Sequence, residues 1–365
     1  MYSNNLQIIV TELVLKNVRI FKEKHIKFEV PITVIRGKNG TGKTSIVEAL
    51  HVIGNARSFK TSHLKEMIKQ GSEALFIKAV LKNNQQITIG INTYEKIIKV
   101  DHRNMRSIQE LQSIIKIITI AENDLKIVQD SPSHRRNWID EMIVMLKPNT
   151  IDLFKKAKII LNQKNQLFNE KTEFEKNRML REILDTQFIE VVKKIQFERK
   201  AALSEIKIYS NIFLKEYFEK DVEVDIAYLP RIDLLQDEAI YTKKIKELRL
   251  QEDKYKRSLF GHHLDDFAIK MNTIDARAFC SRGEQKVLLL FLKLSIIKML
   301  NENQCIPICI LDDFITDLDK ENIQKVLKVL CFKLKTQIII TSPTSEITHH
   351  VTEICKLTKV KEENI

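Results

Sequence analysis

One short segment constrains this chain more than any other: Gly37-Lys38-Asn39-Gly40-Thr41-Gly42-Lys43-Thr44. It fits the pattern G-x-x-x-x-G-K-[ST], the P-loop. Its surroundings fit too. Ile32–Ile35 is a short β-branched apolar run bounded by Pro31 and Gly37, which reads as a buried strand, and Thr44–Ile53 has apolar residues at helical spacing. A strand–loop–helix of this kind belongs to a parallel α/β layer. The glycines let backbone N–H groups curl around phosphate oxygens, and the helix N-terminus adds its dipole. In that arrangement Lys43 reaches the β- and γ-phosphates and the Thr44 hydroxyl binds Mg²⁺.

Two further segments acquire meaning beside the loop. Ile308-Cys309-Ile310-Leu311-Asp312-Asp313 is an apolar strand ending in two carboxylates. Alone such an ending is common and mostly structural. With a P-loop present, Asp312 suits a Walker B acid that holds Mg²⁺, and Asp313 suits a group that polarises an attacking water. Ser281-Arg282-Gly283-Glu284-Gln285 places an S-x-x-E capping box before the apolar run Val287–Leu292, so a helix starts there. An ordinary cap would account for it in isolation. It stands shortly before Asp312, however, as the signature motif stands before Walker B in ABC ATPases. Ser281, the Gly283 backbone and the helix dipole would then form a second anion site.

The rest of the chain sets the frame. Its 365 residues include only 8 Gly and 6 Pro, which argues for long helices and against low complexity. Lys and Arg number 60 against 48 Asp and Glu, a net charge of +12, and the excess lies in the first 150 residues. Such a balance favours an acidic partner, nucleic acid above all, although a solvated lysine face has the same composition. Cys280, Cys305, Cys309, Cys331 and Cys355 form no CxxC pair and no zinc spacing, and read as free thiols in a reducing compartment. No charged-then-apolar leader opens the chain, and the apolar runs fall well short of the ~20 residues of a membrane helix. The expectation is a soluble, cytoplasmic protein.

Leu75–Leu81, Gln86–Ile91 and Lys96–Val100 read as an antiparallel meander, and Ile114–Ile120 as a buried strand. Helical patterning begins at Ser131-Pro132 and runs through residues 150–220 as antiparallel helices without the sustained heptads of a long coiled coil. A helix from Ser281 to about Leu300, the strand Pro307–Leu311, a helix at Asn322–Leu334 and a strand at Gln337–Thr341 complete the pattern. The predicted architecture is α/β: an ABC-type P-loop ATPase head built from residues 1–130 and 261–365, with a mainly helical domain, 131–260, inserted between them.

At this point the residues resemble the RecF family of bacterial recombination-repair proteins. The P-loop has the family's G-x-N-G-x-G-K-T form, followed by Glu48-Ala49. Arg57-Ser58-Phe59-Lys60-Thr61 resembles R-S-F-R/K-T. Asp124-Leu125, Val128, Ser131-Pro132 and Arg135-Arg136 resemble D-L-x-x-V-x-G-S-P-x-x-R-R, and Gly261, His263, Asp265 and Asp266 resemble G-P-H-R-D-D. Ser281-Arg282-Gly283 with Gln285-Lys286 is similar to the signature S-R-G-Q-Q-K. Asp312-Asp313 with Asp317-Leu318-Asp319 is similar to the family's Walker B and D-loop. Departures are Glu122-Asn123 for P-E, Asp130 for Gly, His262 and Leu264 for Pro and Arg, Glu284 for Gln, and Asp317 for Glu. The Glu122–Asp124 segment takes the place of a Q-loop. Thr341-Ser342 offers no switch histidine, and His349 and His350 come too late for one.

The resemblance implies an ATP-dependent homodimer around two ATP molecules, with Ser281 of one chain meeting the γ-phosphate held by Lys43 of the other. It also implies slow ATP hydrolysis, binding of duplex DNA near single-strand gaps, a part in DNA damage and SOS responses, and work with RecO and RecR to load RecA. The basic residues Arg57, Lys60, Lys65 and Lys69, with Lys78 and Lys82, mark a DNA surface just after the P-loop helix, contacting phosphates without base readout. Heads of the Rad50 or SMC type share the ATP motifs but insert a far longer coiled coil. An ABC transporter subunit would have a shorter interval, and a P-loop kinase needs no signature. The runner-up from a different functional class is an OLD-type defence ATPase, which would normally carry a nuclease domain for which the chain has no room. A non-enzymatic ATP clamp fits every motif and is separated only by hydrolysis.

Overall fold

The computed structural model describes residues 6–168, 174–218, 222–315, 318–354 and 360–364. Asp317 and Cys355 lie outside them. The chain divides into two compact units, one of residues 1–125, 212–221 and 282–365, the other of residues 126–211 and 222–281.

In the first unit the predicted strand–loop–helix sits between two sheets. A parallel sheet has the strand order Val360–Asn364, Ile32–Arg36, Gln337–Ser342, Ile308–Asp312, Ile117–Ala121. An antiparallel sheet has the order Phe21–Lys27, Val10–Val18, Ala74–Leu81, Gln86–Asn92, Lys96–Val100, Arg103–Asn104. The helix Lys43–Asn55 buries both its sides: Ile46, Val47, Ala49, Leu50, Val52 and Ile53 are closed to solvent and share one core with Leu13, Leu15, Ile77 and Ile89 of one sheet and Ile35, Ile308, Ile310 and Ile339 of the other. Burial on this scale stabilises by roughly 1.5–3 kcal/mol per large apolar side chain. The three inner strands of the parallel sheet, Ile32–Arg36, Gln337–Ser342 and Ile308–Asp312, are buried along nearly their whole length and rich in isoleucine, as strands covered on both faces are. Gln337 joins the two sheets: its buried amide accepts from Ile9 N and Val10 N at 2.8 Å and donates to Val10 O at 2.9 Å.

The meander and all the predicted head strands are present. The run at Ile114–Ile120 divides differently, however. Ser107 caps a short helix, Ile108–Ile114, and the strand begins only at Ile117. Beyond the predicted elements, a helix at Glu346–Ile354 and the edge strand Val360–Asn364 follow.

The second unit contains the helices Pro132–Leu146, Ile151–Leu167 and Glu238–Tyr255 and the greater part of Phe174–Phe218, a single helix of 45 residues. Lys147 pairs with Glu198 at 2.7 Å and Lys164 with Asp185 at 2.6 Å, so helices Ile151–Leu167 and Phe174–Phe218 run antiparallel, as expected. The unit also holds a three-stranded sheet, Ile274–Asp275, Asp266–Met271, Val224–Leu229. Residues 261–281, grouped with the head from sequence, fall in this unit. Strand Asp266–Met271 pairs along its length with Val224–Leu229. Asp265, fully buried, accepts from Tyr228 Oη at 2.5 Å and Arg231 N at 2.9 Å, and Asp266 takes a bidentate bond from Arg135 at 2.7 and 2.9 Å. The two family-like motifs at 130–136 and 261–266 are therefore one hydrogen-bonded cluster.

Candidate functional site

The glycine loop leaves the parallel sheet after Arg36 and enters the helix at Lys43. Gly42, the residue before the helix, has φ 99°. A Cβ there would lie 2.5 Å from the Phe21 ring and 2.8 Å from Ile20 Cδ1, so both the conformation and the packing require glycine. The Lys43 side chain is almost fully buried and folds back into the loop, its ammonium donating to Gly37 O at 2.9 Å and Lys38 O at 3.4 Å. The rest of the loop, Lys38, Asn39 and Gly40, is exposed, with Thr41 half-buried and its hydroxyl on Lys38 O.

Strand Ile308–Asp312 brings the two carboxylates to the loop. Thr44 Oγ1 donates to Asp312 Oδ1 at 3.2 Å, and Lys43 Nζ stands 4.0 Å from Asp313 Oδ2. A hydroxyl and a carboxylate at this distance are hard oxygen donors of the kind Mg²⁺ takes when it bridges phosphates, and a buried ammonium beside a ring of loop amides suits a triphosphate. Burial raises the pKa of Asp312; bonds from Thr341 and Thr44 and the positive charge of Lys60 work against that rise, while neighbouring Asp313 adds to it. Asp313 has φ 48°, a left-handed conformation that costs a non-glycine residue about 1 kcal/mol or more.

Thr341 is the residue that sequence reasoning passed over, noting it only for not being a histidine. Fully buried, its hydroxyl accepts from Asp313 N at 2.8 Å and reaches Asp312 Oδ1 at 2.9 Å and Asp313 Oδ1 at 3.3 Å. No local pattern pointed to it: the pairing of Leu311 with Ile340 in a parallel ladder, which sets Thr341 beside Asp312, belongs to the tertiary structure. The next residue, Ser342, closes its own turn with Thr344, and His349 and His350 lie on the following helix.

The remaining predicted residues separate into groups. Ser281 and Gly283 stand, as expected, at the start of the helix Arg282–Glu302, and Ser281, Arg282 and Gly283 are exposed. A Cβ on Gly283 would meet nothing within 4 Å, so this backbone faces open space. The Glu122–Asp124 segment forms a 3₁₀ turn tied to the same helix: Glu122 pairs with Arg282, and Asp124 pairs with Lys293 at 2.6 Å. Asp319 is exposed and caps the helix Lys320–Lys333, accepting from Asn322 N at 2.9 Å.

Among the four basic residues proposed for DNA, Arg57, Lys60 and Lys65 are exposed, whereas Lys69 is partly covered and donates to Ile20 O at 2.9 Å. Lys60 stands close enough to Asp312 to act on its charge, so it belongs to the surroundings of the carboxylates as well. The segment carrying it is anchored from the P-loop helix. Glu48, fully buried, takes two bonds from Arg19 at 2.9 and 2.7 Å and one from Ser58 Oγ at 2.5 Å, and Ser58 Oγ accepts from Lys60 N and Thr61 N.

Comparison with known proteins bears on the fold and the family. Residues 9–365 match the RecF/RecN/SMC N-terminal domain family. The DNA replication and repair protein RecF of Thermoanaerobacter sp. (strain X514) is 32% identical over 334 residues, 88% of this chain and 91% of the relative. RecF of Staphylococcus carnosus (strain TM300) is 27% identical over 365 residues, 97% of this chain and 98% of the relative. A solved structure of the recombination mediator protein RecF with ATP, in the RecFOR pathway, superposes with a TM-score of 0.82 at 25% identity, covering 94% of each chain. The mixed α/β architecture is that of an ABC-type ATPase head, and the chain belongs to the RecF family of DNA replication and repair proteins.

Proposed function

We propose that this chain binds ATP with Mg²⁺ in the glycine loop, pairs with a second copy across that nucleotide, and hydrolyses it slowly as a switch on duplex DNA, in concert with RecO and RecR. The observation that carries the reading is the meeting of four side chains: Thr44 Oγ1 on Asp312 Oδ1 at 3.2 Å and Lys43 Nζ at 4.0 Å from Asp313 Oδ2. When bound, Mg²⁺ would supply positive charge against the charge that develops on the phosphates as the terminal bond breaks. Thr44 and Asp312 would hold it. Lys43 would leave its carbonyl partners for the β- and γ-phosphates, and the loop amides would take the remaining oxygens. Asp313 would accept a hydrogen bond from the attacking water and orient it for in-line attack.

A single chain supplies only this half of the charge stabilisation. The exposed Ser281–Gly283 turn at a helix N-terminus is suited to the γ-phosphate held by a partner, which gives dimerisation a chemical purpose. Hydrolysis would remove that phosphate and release the pair. Sedimentation with a non-hydrolysable ATP analogue should show a dimer that is absent without nucleotide and lost in Ser281→Arg. Asp313→Asn should retain the dimer and lower kcat by about 100-fold or more. A monomer at saturating analogue would overturn the shared-nucleotide reading, and equal turnover in wild type and Asp313→Asn would overturn the role of Asp313.

A further inference from the structure

We infer that Thr341 is a positioning residue for ATP hydrolysis: its one hydroxyl holds the metal-binding carboxylate and the water-polarising carboxylate in register. The inference rests on the ATPase reading above and extends it to a residue outside the glycine loop, the Walker B strand and the signature. Three observations carry it. The Thr341 hydroxyl accepts the Asp313 backbone N–H at 2.8 Å, and so braces a turn in which Asp313 has the left-handed φ of 48°. That turn sets the Asp313 carboxylate 4.0 Å from the Lys43 ammonium. The same hydroxyl donates to Asp312 Oδ1 at 2.9 Å, the atom that Thr44 also approaches at 3.2 Å. One oxygen of Asp312 is thus held within the protein by two hydroxyls.

The geometry is built for this purpose by the sheet. Thr341 is fully buried near the C-terminal end of the strand Gln337–Ser342, after three isoleucines, and the parallel ladder places it level with Asp312. In Thr341→Val the methyl packing survives while both bonds vanish. Asp313 N–H then loses the Thr341 hydroxyl, and the turn is free to relax. Two consequences follow that mere loss of stability would not produce. The Mg²⁺ concentration at half-maximal turnover rises, because Asp312 has lost a clamp, and kcat falls, because Asp313 no longer faces the nucleophile. Nucleotide binding in the absence of Mg²⁺ stays as in wild type, because the loop is untouched.

The test is steady-state hydrolysis and fluorescent-ATP binding by the full-length chain across a Mg²⁺ titration, for wild type, Thr341→Val, Thr341→Ser and Asp313→Asn. Thr341→Val should lower kcat about tenfold or more and shift the Mg²⁺ midpoint upward about threefold or more. Thr341→Ser, which restores the hydroxyl, should recover most of both. A wild-type kcat and midpoint in Thr341→Val would overturn the inference, as would equal losses in the Val and Ser variants, which would assign the effect to packing. Should Thr341→Val fail to fold, Thr341→Ala compared with Thr341→Ser makes the same contrast. Should wild type and Asp313→Asn turn over alike, the hydrolysis reading fails, and the Mg²⁺ midpoint for nucleotide binding still decides whether Thr341 sets Asp312.

Discussion

At the scale of single residues, the site works because several atoms have no alternative place to go. Gly42 shows this most directly. Its φ of 99° disfavours any side chain, and the Phe21 ring and Ile20 already fill the space a Cβ would need. Gly42→Ala should therefore destabilise the protein by about 1–3 kcal/mol and weaken ATP binding, because the loop amides are displaced; thermal melting and nucleotide titration check both. The four side chains that meet at the candidate site, Lys43, Thr44, Asp312 and Asp313, stand out in the sequence because their types and order are those a metal–triphosphate complex demands. Thr341 was not, since a lone threonine after three isoleucines announces nothing until the strand pairing sets it beside Asp312.

At the scale of elements, the polar centre of the second unit is the most exposed to test. Arg199 is almost wholly buried on the long helix and donates to both oxygens of Asp140 at 2.8 Å and to His262 O at 2.7 Å. Burial opposes its charge, and the bonds from Asp140 more than restore it, so its pKa is raised. Arg199→Leu strands Asp140 and Asp265 without their cation and should cost about 3–5 kcal/mol in urea unfolding.

The adjacent His262 and His263 are held neutral, pushed down to about 3 and about 4. Burial is the main cause for both; for His262 nearby Arg199 adds to it, and for His263 a backbone bond to Ser258 partly offsets it. A folded-state pKa below the unfolded value means that the unfolded chain binds more protons. Stability from this pair is full above the ordinary value of 6.5 and is lost as pH falls from there to about 4 for His263 and about 3 for His262. Far-ultraviolet circular dichroism should show a stability that declines through that window, and His262→Gln should flatten the slope. The helices here were readable from spacing. The three-stranded sheet was not: Ile274–Asp275 is only two residues long, and Val224–Leu229 is defined by its long-range pairing with Asp266–Met271.

At the scale of the whole molecule, charge decides how the family function would be carried out. The basic excess of the first 150 residues suits phosphate contacts, and each one lost lowers the salt slope of duplex binding by about 0.9. Lys60 is a poor probe of that surface because its charge also reaches Asp312. Lys65, exposed, and Lys69, which is only partly covered, are better ones. Lys65→Glu with Lys69→Glu should reduce the slope of log K against log salt by about 1–2 while leaving nucleotide affinity unchanged; an unchanged slope would move the DNA surface elsewhere. Among the described residues no helix is long and apolar enough to cross a membrane.

The sequence by itself determined the nucleotide loop, the acidic strand end, the start of the Arg282–Glu302 helix and the α/β class. Each of these is a local match between residue type and backbone demand: glycine where φ is positive, β-branched runs where a strand is buried on both faces, a capping residue where a helix begins. Only the tertiary structure decided what depends on residues far apart in the chain. Arg135 meets Asp266 within the second unit, and Thr341 bonds to both Asp312 and Asp313. Such contacts arise from sheet register and side-chain packing, and neither spacing nor composition carries that information.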